Sequence, residues 1–503
     1  MTLSDDTDHQ VGLRVPVAPG GSGSLGQTIR IDDLVDGQKI RGFNLNLLFW
    51  SVLVLFVDAY DITVMPFAMP TLSKLWHVDA GYQSYVFTAI LIGMLAGSPL
   101  LGSIGDRYGR KAAILLGSFI YGVSTLAVIW QHGYGATIVL RFCTGFGIGA
   151  LLPNTVALSC ELSPKRLRAT LVVLMFAGGT LGSSAPGFIA AWLVPTFGWP
   201  VLFLVGGVVP LLVAVCLYFA LPESVKYLAN RPERRGELLA TARRMRGDLT
   251  LGEDTQFEST LRTGPGDGGL GLEQIFGSGF KWITPLLWVC FFATLMTNYF
   301  LNSWMPTLFN IAGLPPEKAA LASSLYLIGG TVGGVLISVL LDRFGFVVVA
   351  ALFVCAAPVI AAIGAASVSH GELALLATIA GLCVLGAQFG HIAAAGLLYP
   401  TEFRSKGIGW ALAIGRIGAI AGPLLGGQMI KAGLRMQQLF LAASAPMVVG
   451  AVAAVTLVPL CYVRVGNMRL SDVPSQGSAQ GDRAVLPEIR NDTRLPGSPR
   501  EDG

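Results

Sequence analysis

The chain has 503 residues and a formal charge of +4, with 13% charged and 53% apolar residues. A soluble domain of ordinary composition carries about 25% charge, so this composition cannot clothe a protein in a water-soluble surface. The 63 glycines suit helices that pack backbone to backbone in lipid, where small residues govern the approach.

Residues 1–41 are polar and rich in Gly and Ser, without the short apolar core and small-residue cleavage site of a signal peptide. The first apolar stretch is therefore expected to serve as its own insertion signal. Within the segment, residues 31–41 have the pattern of a short amphipathic helix lying on a membrane surface.

A membrane-spanning helix needs about 20 apolar residues. Twelve stretches qualify: 44–69, 82–105, 112–130, 136–158, 168–193, 198–221, 281–308, 318–341, 346–368, 372–397, 406–430 and 436–462. They fall into two sets of six, 42–221 and 281–462, separated by a polar loop at 222–280. A tail at 463–503, rich in Ser, Gly, Pro and charge, reads as disordered. An all-α membrane protein with twelve transmembrane helices in two six-helix pseudo-repeat bundles is the expected fold.

Charge in the short connections gives the orientation. One face carries Arg30, Lys39, Arg41, Arg107, Arg110, Lys111, Lys165, Arg166, Arg168, Arg343, Arg404, Lys406, Arg464 and Arg469, and the other only Lys74, Lys318, Lys431 and Arg435. Both termini are accordingly expected in the cytoplasm, with the protein in the cell inner membrane. Asp106-Arg107-Tyr108-Gly109 recurs 236 positions on as Asp342-Arg343-Phe344-Gly345, and Pro164, four before Arg168, recurs at the same offset as Pro400, four before Arg404. Two loops sharing one offset identify parallel repeats, whose halves typically enclose a site near the bilayer midplane.

Several polar residues stand where lipid forbids them. Asp58 and Asp61 lie well inside the first span, at mid-bilayer depth by helix rise, where a carboxylate costs about 2.5–3.5 kcal/mol even on the gentlest scale. Three residues apart, they share a helix face. Like charges and desolvation both favour holding a proton there, which suits proton coupling; a carboxylate tied permanently to an arginine is the structural alternative. Arg416 lies twelve residues beyond Arg404, about 18 Å deep by helix rise, and needs a counter-charge. Asp58, Asp61 or a substrate carboxylate could supply it, the last in the bidentate geometry that a guanidinium favours.

Arg141 lies near the outer end of the fourth span, within reach of headgroups or of a substrate. Tyr299, Asn302 and Trp304 in the seventh span, and Gln388 and His391 in the tenth, are candidates to line a cavity for a planar ring, although packing or a hydrogen bond to a neighbouring helix would also account for them. Glu161, followed by Lys165, Arg166 and Arg168, reads as a gate ion pair at the inner end of the fourth span.

The segment Gly102 to Lys111 resembles the signature loop of the major facilitator superfamily. Four further segments resemble its aromatic acid:proton symporter family: Asp58-Ala59-Tyr60-Asp61, Arg141 to Asn154, Asn302 to Pro306, and Gly409 to Pro423. Ala59 stands where that family usually has glycine. The resemblance implies the major facilitator fold, and proton-coupled symport that imports a small aromatic carboxylate by alternating access. It implies functional residues at Asp58, Asp61, Arg141, Glu161, Asp106, Asp342, Arg404 and Arg416. By position and charge the first two are read as proton-coupling residues, Arg141 and Arg416 as substrate contacts, and Asp106, Arg107, Arg110, Glu161, Arg168, Asp342, Arg343 and Arg404 as gating residues. Other readings are a symporter or exporter of another small organic acid, or a non-transporting nutrient sensor.

The seven cysteines stand singly in apolar runs, which reads as packing rather than disulfide or metal binding. With no nucleophile beside a base, no metal cluster and no cofactor loop, an enzyme is disfavoured, and no cofactor, metal or nucleic acid is expected as partner. Small anions, protons and the lipid bilayer are.

Overall fold

In the computed structural model, the described residues are 28–39, 42–131, 133–247, 252, 255–258, 275–277, 280–365, 369–399 and 403–465. The tail at 466–503, Pro400 and the side chain of Asp342 lie outside them. Within the described residues twelve helices are long and apolar enough to cross a membrane, one for each apolar stretch. Most overrun the predicted bounds, because helical geometry continues into the polar turns at each end.

A short strand, β1 (Thr28–Arg30), leads into α1 (Ile31–Asp36). The first six spans follow as α2 (Gly42–Trp76), α3 (Ala80–Tyr108), α4 (Arg110–Ala127, extended by a 3-10 turn to Trp130), the pair α5 (Tyr134–Ile148) and α6 (Leu151–Leu162), α7 (Lys165–Phe197) and α8 (Pro200–Ala220). The polar segment contributes α9 (Val225–Ala229), α10 (Arg235–Met245) and β2 (Gln256–Glu258). The last six spans are α11 (Ile283–Ile311), α12 (Pro316–Phe344), α13 (Val347–Ala365), α14 (His370–Leu398), α15 (Arg404–Lys431) and α16 (Met436–Val465). Large apolar side chains such as Phe49, Trp192, Phe219 and Val339 stand exposed, as they do on a surface solvated by lipid rather than water.

Packing divides the chain into two compact units. One holds the described residues through Glu258 together with Tyr299–Ile328 and Pro423–Met436; the other holds those from Ile275 to Asn298, Gly329–Gly422, and the rest from Gln437.

In the first unit, glycine sets how closely the spans cross. A methyl on Gly93 or Gly97 of α3 would lie 2.2 or 2.0 Å from the carbonyl oxygen of Phe142 or Phe146 on α5, so no other residue fits without moving a backbone. The second unit repeats the crossing at the same offset of 236: Gly329 and Gly333 of α12 face the carbonyls of Thr378 and Leu382 on α14, at 2.0 and 2.4 Å. The repeat read from two loops thus extends into the packing of the spans.

The apolar face of the amphipathic segment after residue 30 is turned onto protein. Leu34 of α1 is buried against Leu239 and Ala242 of α10, with Ile29 and Phe257 packed on the same cluster. Burying a leucine stabilises by roughly 1.5–3 kcal/mol, and here protein, not lipid, supplies the apolar surface. β1 and β2 pair in parallel beside it, Ile29 opposite Phe257. Asp36 pairs with Lys165 at 3.0 Å and Asp32 with Lys226 at 3.1 Å.

Candidate functional site

The buried charges of the first unit converge on α2. Asp58 and Asp61 both point inward, 6% and 0% exposed, on the face that an i, i+3 spacing shares. Arg141 of α5 is also fully buried. Its Nη1 donates to Asp61 Oδ1 at 3.0 Å and its Nη2 to the Asp61 backbone oxygen at 2.7 Å. The Thr125 hydroxyl of α4 donates to the other carboxylate oxygen, and Thr144 Oγ1 lies 3.4 Å from Thr125 Oγ1. Of the two readings of Arg141, reach to the headgroups or to a substrate, the first is overturned, because the side chain is fully buried and turned onto Asp61 of α2. Two groups remain without a hydrogen-bond partner among the described residues, Asp58 Oδ1 and Arg141 Nε.

Beside the pair is a small cavity of about 20 Å³. Its apolar wall comes from α2 and α3, including Ile62, Met65, Val86 and Phe87. Arg141 enters from α5, and Tyr299, Asn302 and Ser303 from α11. Three of the sequence candidates, Arg141, Tyr299 and Asn302, are therefore brought together. Trp304 is not at the surface of this cavity. It is fully buried, donates to the Pro423 oxygen at 3.0 Å, and packs edge-on against Phe87 with centroids 5.2 Å apart, so it buttresses a wall.

The remaining candidates lie in the second unit. Arg416 on α15 is half-buried, and no carboxylate among the described residues is within ion-pair distance of it. Asp61, one of the counter-charges considered for it, is paired with Arg141 instead. His391 is fully buried with its ring against Phe291 and Phe353, centroids 4.1 and 6.2 Å away. Gln388 is half-buried, and its Oε1 has no partner among the described residues.

At the polar ends of the spans, the gate candidates divide. Asp106 pairs with Arg110 one turn on, Arg110 reaches Glu161 at 3.7 Å, and Glu161 also accepts from the Ser224 hydroxyl. The basic cluster after Glu161 is turned elsewhere: Arg168 Nε donates to the Ser163 oxygen at 3.1 Å, and Arg404 Nε to the Tyr399 oxygen at 3.1 Å, again 236 positions on. Arg107 and Arg343 lie over the rings of Tyr108 and Phe344 at 5.4 and 5.3 Å. Gly109 and Gly345 close the two turns with φ of 109° and 65°, a region that favours glycine.

Sequence reasoning missed one residue beside this network. Glu223, just past α8, accepts from the backbone N–H of Lys111 at 3.2 Å and of Ser224 at 3.0 Å. Its carboxylate occupies the space that a side chain on Gly109 would need. Burial pushes its carboxyl above the usual range, while those donors pull it down. A lone acid ending an apolar run was its sequence signal.

The sequence matches the family described as Major Facilitator Superfamily over residues 51–394 and 287–470. The chain belongs to the major facilitator superfamily. It is a multi-pass membrane transporter rather than an enzyme. It is 35% identical over 437 residues to the 4-hydroxybenzoate transporter PcaK of Pseudomonas aeruginosa, covering 86% of this chain and 96% of that one. The gallate transporter of Pseudomonas putida is 33% identical, with 84% and 94% covered. The benzoate transport protein of Acinetobacter baylyi is 29% identical, with 85% and 92% covered. Among solved structures, a D-xylose-proton symporter superposes with a TM-score of 0.63 at 16% identity, over 83% of this chain and 98% of that one, which establishes the twelve-helix superfamily fold.

Thr125, Thr144 and Ser303 had no signal in the sequence of this superfamily member. Hydroxyls in apolar helices ordinarily bond their own backbone, as Thr294 does to the Cys290 oxygen at 2.8 Å, so nothing in one sequence separates those that face a site.

Proposed function

We propose that this chain is a proton-coupled symporter that imports a small aromatic carboxylate by alternating access, in the cell inner membrane with both termini cytoplasmic. The observation that carries the reading is the fully buried Asp61–Arg141 pair beside an apolar-walled cavity. The relatives named for 4-hydroxybenzoate, gallate and benzoate support the substrate class.

A buried ion pair recovers its desolvation cost only while both partners are present. Protonating Asp61 removes the charge that holds Arg141, and deprotonating it restores the lock. Asp58, one turn earlier with an unpartnered oxygen, is the second acid of the coupling step. Arg416, free of a protein carboxylate among the described residues, is assigned to the substrate's own carboxylate. Asp106, Arg107, Arg110, Glu161 and Arg168 are assigned to gating, together with Asp342, Arg343 and Arg404, which repeat Asp106, Arg107 and Arg168 at the offset of 236, each six-span half moving as a body. An inside-negative membrane opposes anion entry by about 2.3 kcal/mol per charge per 100 mV, and one accompanying proton cancels that charge.

Uptake of labelled 4-hydroxybenzoate into proteoliposomes, with and without an inward proton gradient, tests this. Gradient-dependent accumulation abolished by a protonophore is the expected result. Accumulation indifferent to the gradient would remove proton coupling, and no counterflow of any aromatic acid would remove the transport assignment.

A further inference from the structure

Residues 302 and 303 of α11 each lie about one turn beyond residue 299, and all three line the cavity beside Arg141. Ser303 is 6% exposed. Thr294 and Ser323 turn their hydroxyls back onto carbonyls of their own helices, whereas neither Ser303 nor the Asn302 amide has a hydrogen-bond partner among the described residues. The third polar group is the Arg141 Nε–H, fully buried and also unpartnered, because Nη1 and Nη2 are spent on Asp61.

Charge and size restrict what these groups can receive. The guanidinium is already neutralised by Asp61, so a second carboxylate there would meet a like charge. A neutral hydroxyl suits the set better, since it donates and accepts at once while Ser and Asn offer both functions and Nε–H only donates. The cavity, about 20 Å³, holds a group about the size of one water molecule, too little for an aromatic ring and enough for a substituent on one.

We propose that Asn302, Ser303 and the Arg141 Nε–H form a niche that reads a ring hydroxyl on the transported acid, and so determine specificity for hydroxylated over unsubstituted aromatic carboxylates. This rests on the aromatic-carboxylate reading above. A site built to bond a hydroxyl discriminates against the analogue that lacks it, because the buried polar groups are then left unpaired.

The test is the affinity of the purified full chain for 3-hydroxybenzoate, 4-hydroxybenzoate and benzoate, in wild type, Asn302→Ala and Ser303→Ala, with Ser303→Cys as a near-isosteric second variant. Wild type is expected to prefer at least one hydroxybenzoate by on the order of tenfold. The variants should bring that ratio to within about threefold, chiefly by weakening the hydroxylated acid. Equal wild-type affinity for all three acids overturns the niche while leaving aromatic carboxylates as substrates. An unchanged ratio in the variants, or an equal loss for every acid, also overturns it. Binding of none of the three by wild type defeats the substrate reading itself, and the niche with it.

Discussion

At the scale of single residues, the buried pair makes two outcomes specific. Asp61→Asn keeps an acceptor near Arg141 but cannot release a proton, so gradient-driven accumulation should disappear while exchange of labelled for unlabelled substrate persists. Full accumulation by this variant would take Asp61 out of the coupling step. Arg416 is the contrasting case. Arg416→Lys keeps the charge and loses the planar fork, and a lost charge-assisted bond of about 1.5–3 kcal/mol should weaken binding roughly ten- to a hundredfold. Titrating an aromatic acid and its uncharged amide against wild type and Arg416→Ala decides its role: wild type should prefer the acid, and the same preference in the variant would exclude Arg416 as the carboxylate anchor. The two aspartates and Arg416 were legible in the sequence, because charge inside an apolar run is conspicuous; Arg141 was a candidate too, but its place near the outer end of a span hid its burial. Which arginine Asp61 pairs with was not, since depth along a helix says nothing about the direction a side chain faces.

At the scale of elements, the span crossings and the capped ends invite different substitutions. A methyl at Gly97 meets a carbonyl at 2.0 Å, whereas at Gly102, five residues on, it meets nothing within 4 Å. Gly97→Ala should therefore lower stability by about 1–3 kcal/mol or more and Gly102→Ala hardly at all, measured as the thermal midpoint in detergent; equal midpoints would refute the crossing geometry. Asp79 caps α3 by accepting from Tyr82 N–H at 3.0 Å and pairs with Lys431 at 3.3 Å. Exposed ion pairs contribute about 0–1 kcal/mol, while losing a cap costs typically about 1 kcal/mol. Asp79→Asn, which keeps the cap, should accordingly be milder than Asp79→Ala. The Tyr82 N–H, then Lys431, holds the Asp79 carboxyl below the usual range. A depressed folded value means that the stabilisation is present above the unfolded value of about 3.9 and is lost as the pH falls through the folded one. A stability profile of Asp79→Asn that matches wild type through that acid range would show that the charge contributes nothing.

At the scale of the whole molecule, the twelve spans and the repeat could be read in advance because lipid imposes a length on every span and duplication imposes an offset. The fate of the amphipathic segment could not, since its apolar face would suit lipid or protein equally, and only the placement of Leu239 and Ala242 shows that α10 covers it. Carried through at the common offset, the repeat also shows what differs between its copies. Asp58, Asp61 and Arg141 correspond to Thr294, Thr297 and Ala377. Thr294 bonds its own helix, Thr297 Oγ1 donates to the Ala443 oxygen at 3.3 Å, and Ala377 is fully buried. Arg416 corresponds in turn to Thr180, whose hydroxyl bonds the Ala177 oxygen at 2.9 Å. The polypeptide thus contains its own control: the same glycine crossing is written twice, once beside a buried ion pair and once with that pair subtracted. A substitution made in parallel at Gly93 and Gly329 separates the energetics of the scaffold from those of the charges it carries, within one chain and under one set of conditions.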